Sequence, residues 1–311
     1  MSVDRDQNWL NEFLNVYWLR PENALWRTLN CYSIQDVSFN EPSLDLSCVD
    51  GIFSFLRAGG RFDTDFDIFQ GTDYLDNFFE NEDIYNSVPD DYDPTILEEP
   101  EYKITVGTDW KKALLKKAER LDFYRELKQH DNNDPLPFED NRFQTVFTNS
   151  AYWIENIDLH LSEVKRVLHP EGKAIFVLKT PAVHHFLETL EQNWGDQLGT
   201  DLIDLLDRGR KNNKQHLYDR KGWTKKLGNA GFETVDCRTS VTSLHAAMWD
   251  IGLRPVSPHL IKMAYSLPQE QRVEIKRDWI NTWQRLLSSF CDPSLNLSRQ
   301  QKPPELIFVV E

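Results

Sequence analysis

Ser43-Leu44-Asp45-Leu46-Ser47-Cys48-Val49-Asp50-Gly51 decides how this chain is read. A short apolar strand runs into a turn that carries an acid, small residues and a glycine. In α/β proteins such a strand end, with the helix after it, offers free backbone N–H groups to a small ligand. Three further runs repeat the pattern. Ile104-Thr105-Val106-Gly107-Thr108-Asp109 is β-rich and ends in an acid. Gln144-Thr145-Val146-Phe147-Thr148-Asn149 ends in a polar residue. Lys173-Ala174-Ile175-Phe176-Val177-Leu178 follows Leu168-His169-Pro170-Glu171-Gly172. Apolar strands separated by helix-length segments predict an α/β fold with a doubly wound, mostly parallel sheet.

Read together, these segments resemble the class I (Rossmann-like) S-adenosylmethionine-dependent methyltransferases. Leu44 to Gly51 is similar to that family's first motif, LDxGCGxG. His130-Asp131, followed by Pro135-Leu136-Pro137-Phe138-Glu139-Asp140-Asn141-Arg142-Phe143, resembles its D…LPFxDxxFD segment. Leu161 to Lys173, with Glu163, Arg166, Val167, Leu168, Pro170 and Gly172, resembles its ExxRVLxPGG helix and turn. The resemblance implies a seven-stranded sheet whose last strand is antiparallel, and S-adenosyl-L-methionine as cofactor. It implies cofactor-binding roles for Asp45, Ser47 and Gly51 in the first loop. Asp109 would hold the ribose hydroxyls, with Trp110 beside it. Asp131 would lie beside the adenine, with Asn132. Asn149 and the residues after it would stand near the methyl group.

The sequence departs from the family in two places. Ser47 and Val49 stand where glycine is usual, and glycine there permits positive φ and close backbone approach. A β-branched residue disfavours positive φ. Either Val49 crowds the methionine end of the cofactor, or it sits at negative φ with its side chain in the core. The second departure is length. Gly51 to Asp109 exceeds what one crossover helix needs, so an insertion lies between the first two strands.

The chain has 311 residues and a formal net charge of −15. A surface this acidic repels phosphate backbones, so nucleic acid is not expected as a partner. No apolar run reaches the roughly 20 residues of a membrane span. Met1-Ser2-Val3-Asp4-Arg5-Asp6 lacks the apolar stretch of a signal peptide. Cys31, Cys48, Cys237 and Cys291 show no paired spacing; they read as reduced thiols of a cytoplasmic protein without a zinc site.

Three additions surround the core of residues 41–238. Residues 1–40 form an N-terminal helical cap. Trp9, Leu10, Phe13, Leu14, Tyr17 and Trp18 recur at helical spacing, and Pro21 suits the first turn of a second helix. The second addition, 61–102, is rich in acids from Asp63 to Glu101, but aromatics such as Phe62, Phe66, Phe69 and Tyr92 interleave them. That composition predicts an ordered excursion. Asp63-Thr64-Asp65-Phe66-Asp67 is no EF-hand, because Ile68 and Tyr74 fill the positions that need Gly and Glu. The third addition, 239–303, is a helical insertion or lid before the final strand, 304–311. Ile280, Trp283, Leu286, Leu287 and Phe290 mark one of its apolar faces. Tyr17, Trp18, Trp153, His245 and Trp249 are the candidate contacts for a small-molecule acceptor.

Methyl transfer needs alignment, exclusion of water and, for some acceptors, a base. His184 and His185 follow the fourth run at its C-terminal end, and Tyr152 follows the third, so these three are the catalytic candidates. No Asn-Pro-Pro-Tyr motif occurs, nor a Gly-x-Ser-x-Gly elbow, nor a Walker-type phosphate loop. A nicotinamide-dependent reductase would need the glycine fingerprint that is missing here. A non-catalytic binding or scaffold protein on a degenerate methyltransferase core is the rival from another class.

Overall fold

The first strand, β1 (Ser43–Leu46), lies inside a seven-stranded sheet and is buried at every residue. The protein is described by a computed structural model over residues 8–70, 88, 92–207, 215–291 and 302–311. The other sheet strands are β4 (Ile104–Asp109), β5 (Tyr124–Gln129), β6 (Phe143–Thr148), β7 (Leu168–Lys179), β8 (Thr234–Val241) and β9 (Glu305–Val310). Their spatial order is β5-β4-β1-β6-β7-β9-β8. β1 pairs in parallel with β4 and β6, so the strand order reverses beside it. β9 alone runs antiparallel, and it lies between β7 and β8. The expected doubly wound sheet with an antiparallel last strand is therefore present. A two-stranded ribbon, β2 (Arg61–Phe62) with β3 (Ile96–Glu98), is separate.

The four apolar runs form strands because both faces of the sheet are covered. Leu44, Leu46, Val146, Phe176 and Phe308 pack on one side, and Phe147, Ile175, Val177 and Ile307 on the other. Full burial on both faces favours unbroken runs of Val, Ile, Leu and Phe over alternation. One boundary differs from the sequence reading. β8 begins at Thr234 and continues to Val241, beyond Cys237, because its partner β9 extends the ladder to Glu305↔Val241.

The N-terminal stripe folds as expected. α1 (Trp9–Val16) is capped by the Asn8 side chain, and α2 (Pro21–Ser33) starts on its proline. Trp9, Leu10, Phe13, Leu14, Tyr17 and Trp18 are all buried in one cluster with α3 (Ile52–Arg57). After β8 come α8 (Ser243–Ile251), α9 (Ser257–Tyr265) and α10 (Gln269–Leu287). On α10, Ile280 and Leu287 are buried, but Leu286 is 55% exposed, so it does not share their apolar face. α4 (Lys112–Glu119), α5 (Ile157–Val167), α6 (His185–Asp207) and α7 (Arg220–Asn229) complete the helices of the described residues.

Part of the acidic excursion is described, and its aromatics order it. Phe55, Phe62, Phe66 and Tyr92 pack in sequence, stacked, tilted and edge-on in turn, with centroids 4.7, 4.7 and 5.8 Å apart. Residues 71–87 and 89–91, which hold many of its acids, lie outside the described residues.

Two buried carboxylates join the additions to the core. Asp67 accepts from the Trp18 indole at 2.8 Å, the Tyr265 hydroxyl at 2.5 Å and the Phe69 amide at 2.9 Å. Lys276 lies 3.8 Å away and donates to the Thr64 and Phe66 carbonyls, both at 2.7 Å. Glu305 is fully buried. It accepts from Ser240 Oγ at 2.6 Å, from the Trp26 indole at 3.1 Å, and from Lys179 in an ion pair. The first joint ties α1 and the excursion to α9 and α10. The second ties α2 to the ends of β7, β8 and β9.

Candidate functional site at the strand ends

Parallel pairing puts the C-terminal ends of β5, β4, β1 and β6 side by side, on one edge of the sheet. The loops leaving those ends carry most of the cofactor candidates. The loop after β1 is the most constrained of them. Ser47, Val49 and Gly51 all adopt left-handed backbone, with φ of 59°, 58° and 78°. Val49 thus does not sit at negative φ, and its half-buried side chain is not part of the core clusters. At Gly51 glycine is required. A Cβ there would lie 2.9 Å from the Tyr124 ring and 3.1 Å from Leu121.

A left-handed non-glycine residue costs on the order of 1–2 kcal/mol, so two of them need support. The support comes from the neighbouring strand. Cys48 N–H donates to the Thr108 carbonyl at 2.8 Å, and Val49 N–H donates to Asp109 Oδ2 at 3.1 Å. Asp109 Oδ1 accepts from Lys111 N–H at 2.8 Å. Burial holds the Asp109 carboxyl above the usual carboxylate range, and these backbone N–H groups offset part of the rise. The acid expected to hold the ribose also holds the turn. Each of its oxygens keeps a second lone pair for a ligand hydroxyl.

Asp45 has a different position from the loop residues. Its carboxylate is buried within the sheet and accepts from Ser54 Oγ at 2.6 Å and Tyr124 Oη at 2.8 Å. Burial pushes it up to about 6. It braces α3 and β5 beneath the loop. Asp50 is also buried; burial raises it, and the Arg27 charge from α2 lowers it.

Across from the loop, Asn132 is 6% exposed and donates its amide to Ser47 Oγ at 2.9 Å. Asp131 is exposed, and its Oδ1 accepts from the backbone and side chain of Asn133, both at 3.0 Å. Trp110 leaves its indole 62% exposed beside Asp109. Among the described residues, four buried polar atoms near these strand ends have no hydrogen-bond partner, Thr108 Oγ1, His130 Nε2, Asn132 Oδ1 and Asn149 Oδ1, and others lie elsewhere, such as Asn15 Oδ1, Asn30 Oδ1 and Asp65 Oδ1. The left-handed turn and the doubly used acid fit a nucleoside cofactor such as S-adenosylmethionine.

The acceptor and catalytic candidates divide into two groups. Tyr152 and Trp153 pack together at 5.6 Å in the turn after β6. Lys179, at the end of β7, places its ammonium 5.5 Å from the Tyr152 ring and 4.3 Å from Trp26. Trp249 meets Trp26 edge-on at 5.9 Å. His184 is buried in the short turn after β7, and His185 opens α6 exposed. The remaining three candidates are committed to packing. Tyr17 is buried under Arg27, whose guanidinium lies 4.7 Å from its ring. Trp18 is 2% exposed and bonded to Asp67. His245 caps α8 at the Thr242 N–H (3.2 Å) and reaches the Phe290 carbonyl at 3.1 Å.

Sequence reading missed Trp26, Lys179 and Glu305. Their signal was a charge at the end of an apolar run, Lys179 after Val177-Leu178 and Glu305 before Leu306-Ile307. A groove of about 1000 Å³, with Glu12, Arg57, Glu98 and Tyr102 among its walls, lies at the opposite, N-terminal end of the strands. None of the candidate residues lines it.

A family model described as a methyltransferase domain matches residues 95–176, which begin after the β1 loop and end within β7. No curated protein sequence matches the chain. Among solved structures, a putative methyltransferase from Bacillus halodurans C-125 is 15% identical, covering 91% of this chain and 95% of its own, with a TM-score of 0.41. The [4+2]-cyclase SpnF is 11% identical over 93% and 81%, with a TM-score of 0.44. Geranyl diphosphate C-methyltransferase from Streptomyces coelicolor A3(2), in complex with Mg2+, geranyl diphosphate and S-adenosyl-L-homocysteine, is 9% identical over 91% and 77%, with a TM-score of 0.42. Similarity this distant says nothing of substrate. Residues 95–176 thus match a methyltransferase domain, and the strand order around them, β5-β4-β1-β6-β7-β9-β8, is that of a Rossmann-like sheet.

Proposed function

We propose that the protein transfers a methyl group from S-adenosyl-L-methionine to a small, partly apolar acceptor of specialised metabolism. The observation that carries this reading is the β1 loop. It keeps three left-handed residues although two of its glycines are gone, and Asp109 holds it by the Val49 N–H. Strain of that kind persists where the surrounding structure over-determines it, often for a ligand.

The cofactor supplies an activated methyl group; the chain supplies position and a dry site. The β1 loop and Asp109 hold the methionine and ribose ends, with Trp110 covering the ribose. Asp131 and Asn132 face the adenine, and Asn149 stands at the methyl end. Tyr152, Trp153, Trp26 and Trp249 offer aromatic surface to an acceptor, while the α8–α10 insertion covers it from water. His184, His185 and Tyr152 are the groups within the fold that could accept an acceptor proton.

Calorimetric titration with S-adenosylhomocysteine tests the cofactor half of this reading. Binding by the wild type is expected, and its absence favours the scaffold alternative, which half-buried Val49 in the loop keeps in view. Trp249→Ala tests the acceptor half. It should raise the acceptor KM with cofactor affinity unchanged, and lost cofactor affinity would reverse the assignment.

A further inference from the structure

We propose that a second copy of this chain docks on α6, and that α7 is the surface it docks with. The two helices are consecutive in the chain and carry opposite charge. α6 holds Glu188, Glu191, Asp196, Asp201, Asp204 and Asp207 and no Lys or Arg. α7 holds Arg220, Lys221, Lys225 and Lys226 and no Asp or Glu, in a chain of net charge −15. Part of each set is unpaired among the described residues. Lys221 and Lys225 lie one helical turn apart and exposed, opposite the buried Trp223 and Leu227. They have no ion-pair partner, whereas Lys226 pairs with Asp158 at 2.7 Å and Arg220 donates to the Cys237 carbonyl at 2.7 Å. On α6, Asp201 and Asp204 are exposed and likewise unpaired. Apolar surface accompanies both sets. Trp194, Leu202 and Leu205 are exposed on α6, and Val235 is exposed on the edge strand β8, which packs with α7. Leu202 and Leu205 lie one turn apart, on the stretch after the break at Gly199 (φ 74°, ψ 161°).

Charge selects the pairing. α6 against α6 of another copy sets Asp201 and Asp204 against like charges, and α7 against α7 does the same with lysines. α6 against α7 sets acid against lysine, with apolar side chains on both sides. A two-fold axis makes that contact twice, since α6 meets the partner's α7 while α7 meets the partner's α6. The net charge of −15 repels two copies at a distance. At about 0.15 M salt the Debye length is about 8 Å, so distant acids are screened while charges in contact still act. Exposed ion pairs add little affinity. The apolar side chains, Trp194 above all, supply it, and the charges set partner and register.

Sedimentation equilibrium of the wild type at micromolar concentration and about 0.15 M salt should give the mass of two chains. Asp201→Lys with Asp204→Lys reverses α6, and Lys221→Glu with Lys225→Glu reverses α7. Each reversed variant alone should be monomeric. An equimolar mixture of the two should regain the two-chain mass, because in the mixed pair both contacts again join opposite charges. Melting curves should match the wild type, since all four side chains are exposed. Trp194→Ala, which leaves every charge in place, should weaken self-association roughly tenfold. A monomeric wild type overturns the proposal and leaves α6 to a basic partner of another kind. Reversed variants that still pair alone, or a mixture that stays monomeric, overturn it as well.

Discussion

The two buried joints and the cofactor crevice treat polar atoms in opposite ways. At Glu305, an ammonium, an indole and a hydroxyl converge on one carboxylate, and at Asp67 an indole, a phenol and an amide do the same. At the strand ends, Thr108, Asn132 and Asn149 each hold a buried oxygen that no group among the described residues satisfies. The joints need no further partner, so they fasten the α2 cap and the C-terminal insertion to the core. The crevice is left incomplete, and it is incomplete where parallel strands end. The contrast holds between these two carboxylates and the strand ends; unpaired buried atoms also occur in the cap and the excursion, at Asn15, Asn30, Asp65 and Tyr92.

The largest effect should come from breaking a complete joint. Lys179→Met strands the Glu305 carboxylate in a fully buried position. Removing one partner of a buried pair costs on the order of 3–5 kcal/mol. Urea denaturation should show a loss of that size or no folded protein. Lys179→Met combined with Glu305→Leu should recover much of the loss. A single variant as stable as the wild type would show that the joint is not complete in the sense argued.

Next in size is Asp45, a buried acid whose carboxyl is raised to about 6 by desolvation. The folded protein holds this proton more tightly than the unfolded chain does. Stability from this group is therefore present below about pH 4 and is lost as pH rises to about 6. The full shift corresponds to about 3 kcal/mol. Asp45→Asn should gain stability relative to the wild type between pH 4 and 7. Melting curves across that range would check it, and parallel curves would remove Asp45 from the account.

Asp109→Ala sharpens the comparison within the crevice. It removes a ribose acceptor and releases Val49 N–H and Lys111 N–H together. Losing a charge-assisted hydrogen bond costs about 1.5–3 kcal/mol, or roughly ten- to a hundredfold in affinity. Calorimetry with S-adenosylhomocysteine should show that drop while the melting temperature falls only modestly. The smallest effect belongs to Val49→Gly. It relieves a β-branched residue at φ 58° and should raise stability by about 1 kcal/mol, with cofactor affinity equal or better. A fall in stability would mean that the Val49 side chain packs more than its half-buried state suggests.

The parts that were legible in the sequence were those with several constraints acting together. β1, β4, β6 and β7 were visible because sheets covered on both faces demand unbroken apolar runs. β5 was not singled out. Tyr124-Arg125-Glu126-Leu127-Lys128-Gln129 is an edge strand with most side chains outside the core, so its composition is that of a loop. The crevice was legible as a place, through Asp109 and the turn at Gly51. Its internal bonding was not. Nothing in the order of residues says that Ser47 meets Asn132, or that Asp109 spends one oxygen on Val49. Trp18 and His245 looked like ligand contacts because aromatic and imidazole groups serve packing and binding equally well. Only the positions of Asp67 and Phe290 show which use they serve here.

The place of β9 between β7 and β8 also bears on how the molecule is made. β7 carries a long apolar edge, and its partner on that side is the last strand in chain order. Among the described residues, β8 has no sheet neighbour except β9. During synthesis both edges wait until α8, α9 and α10 have emerged and β9 has followed them. An unpaired apolar strand is a template for aggregation, and late, distant pairings are slow. The helices between β8 and β9 thus have an early task distinct from covering a ligand: they set how long β7 stays open, and how much the nascent chain depends on being kept from its neighbours.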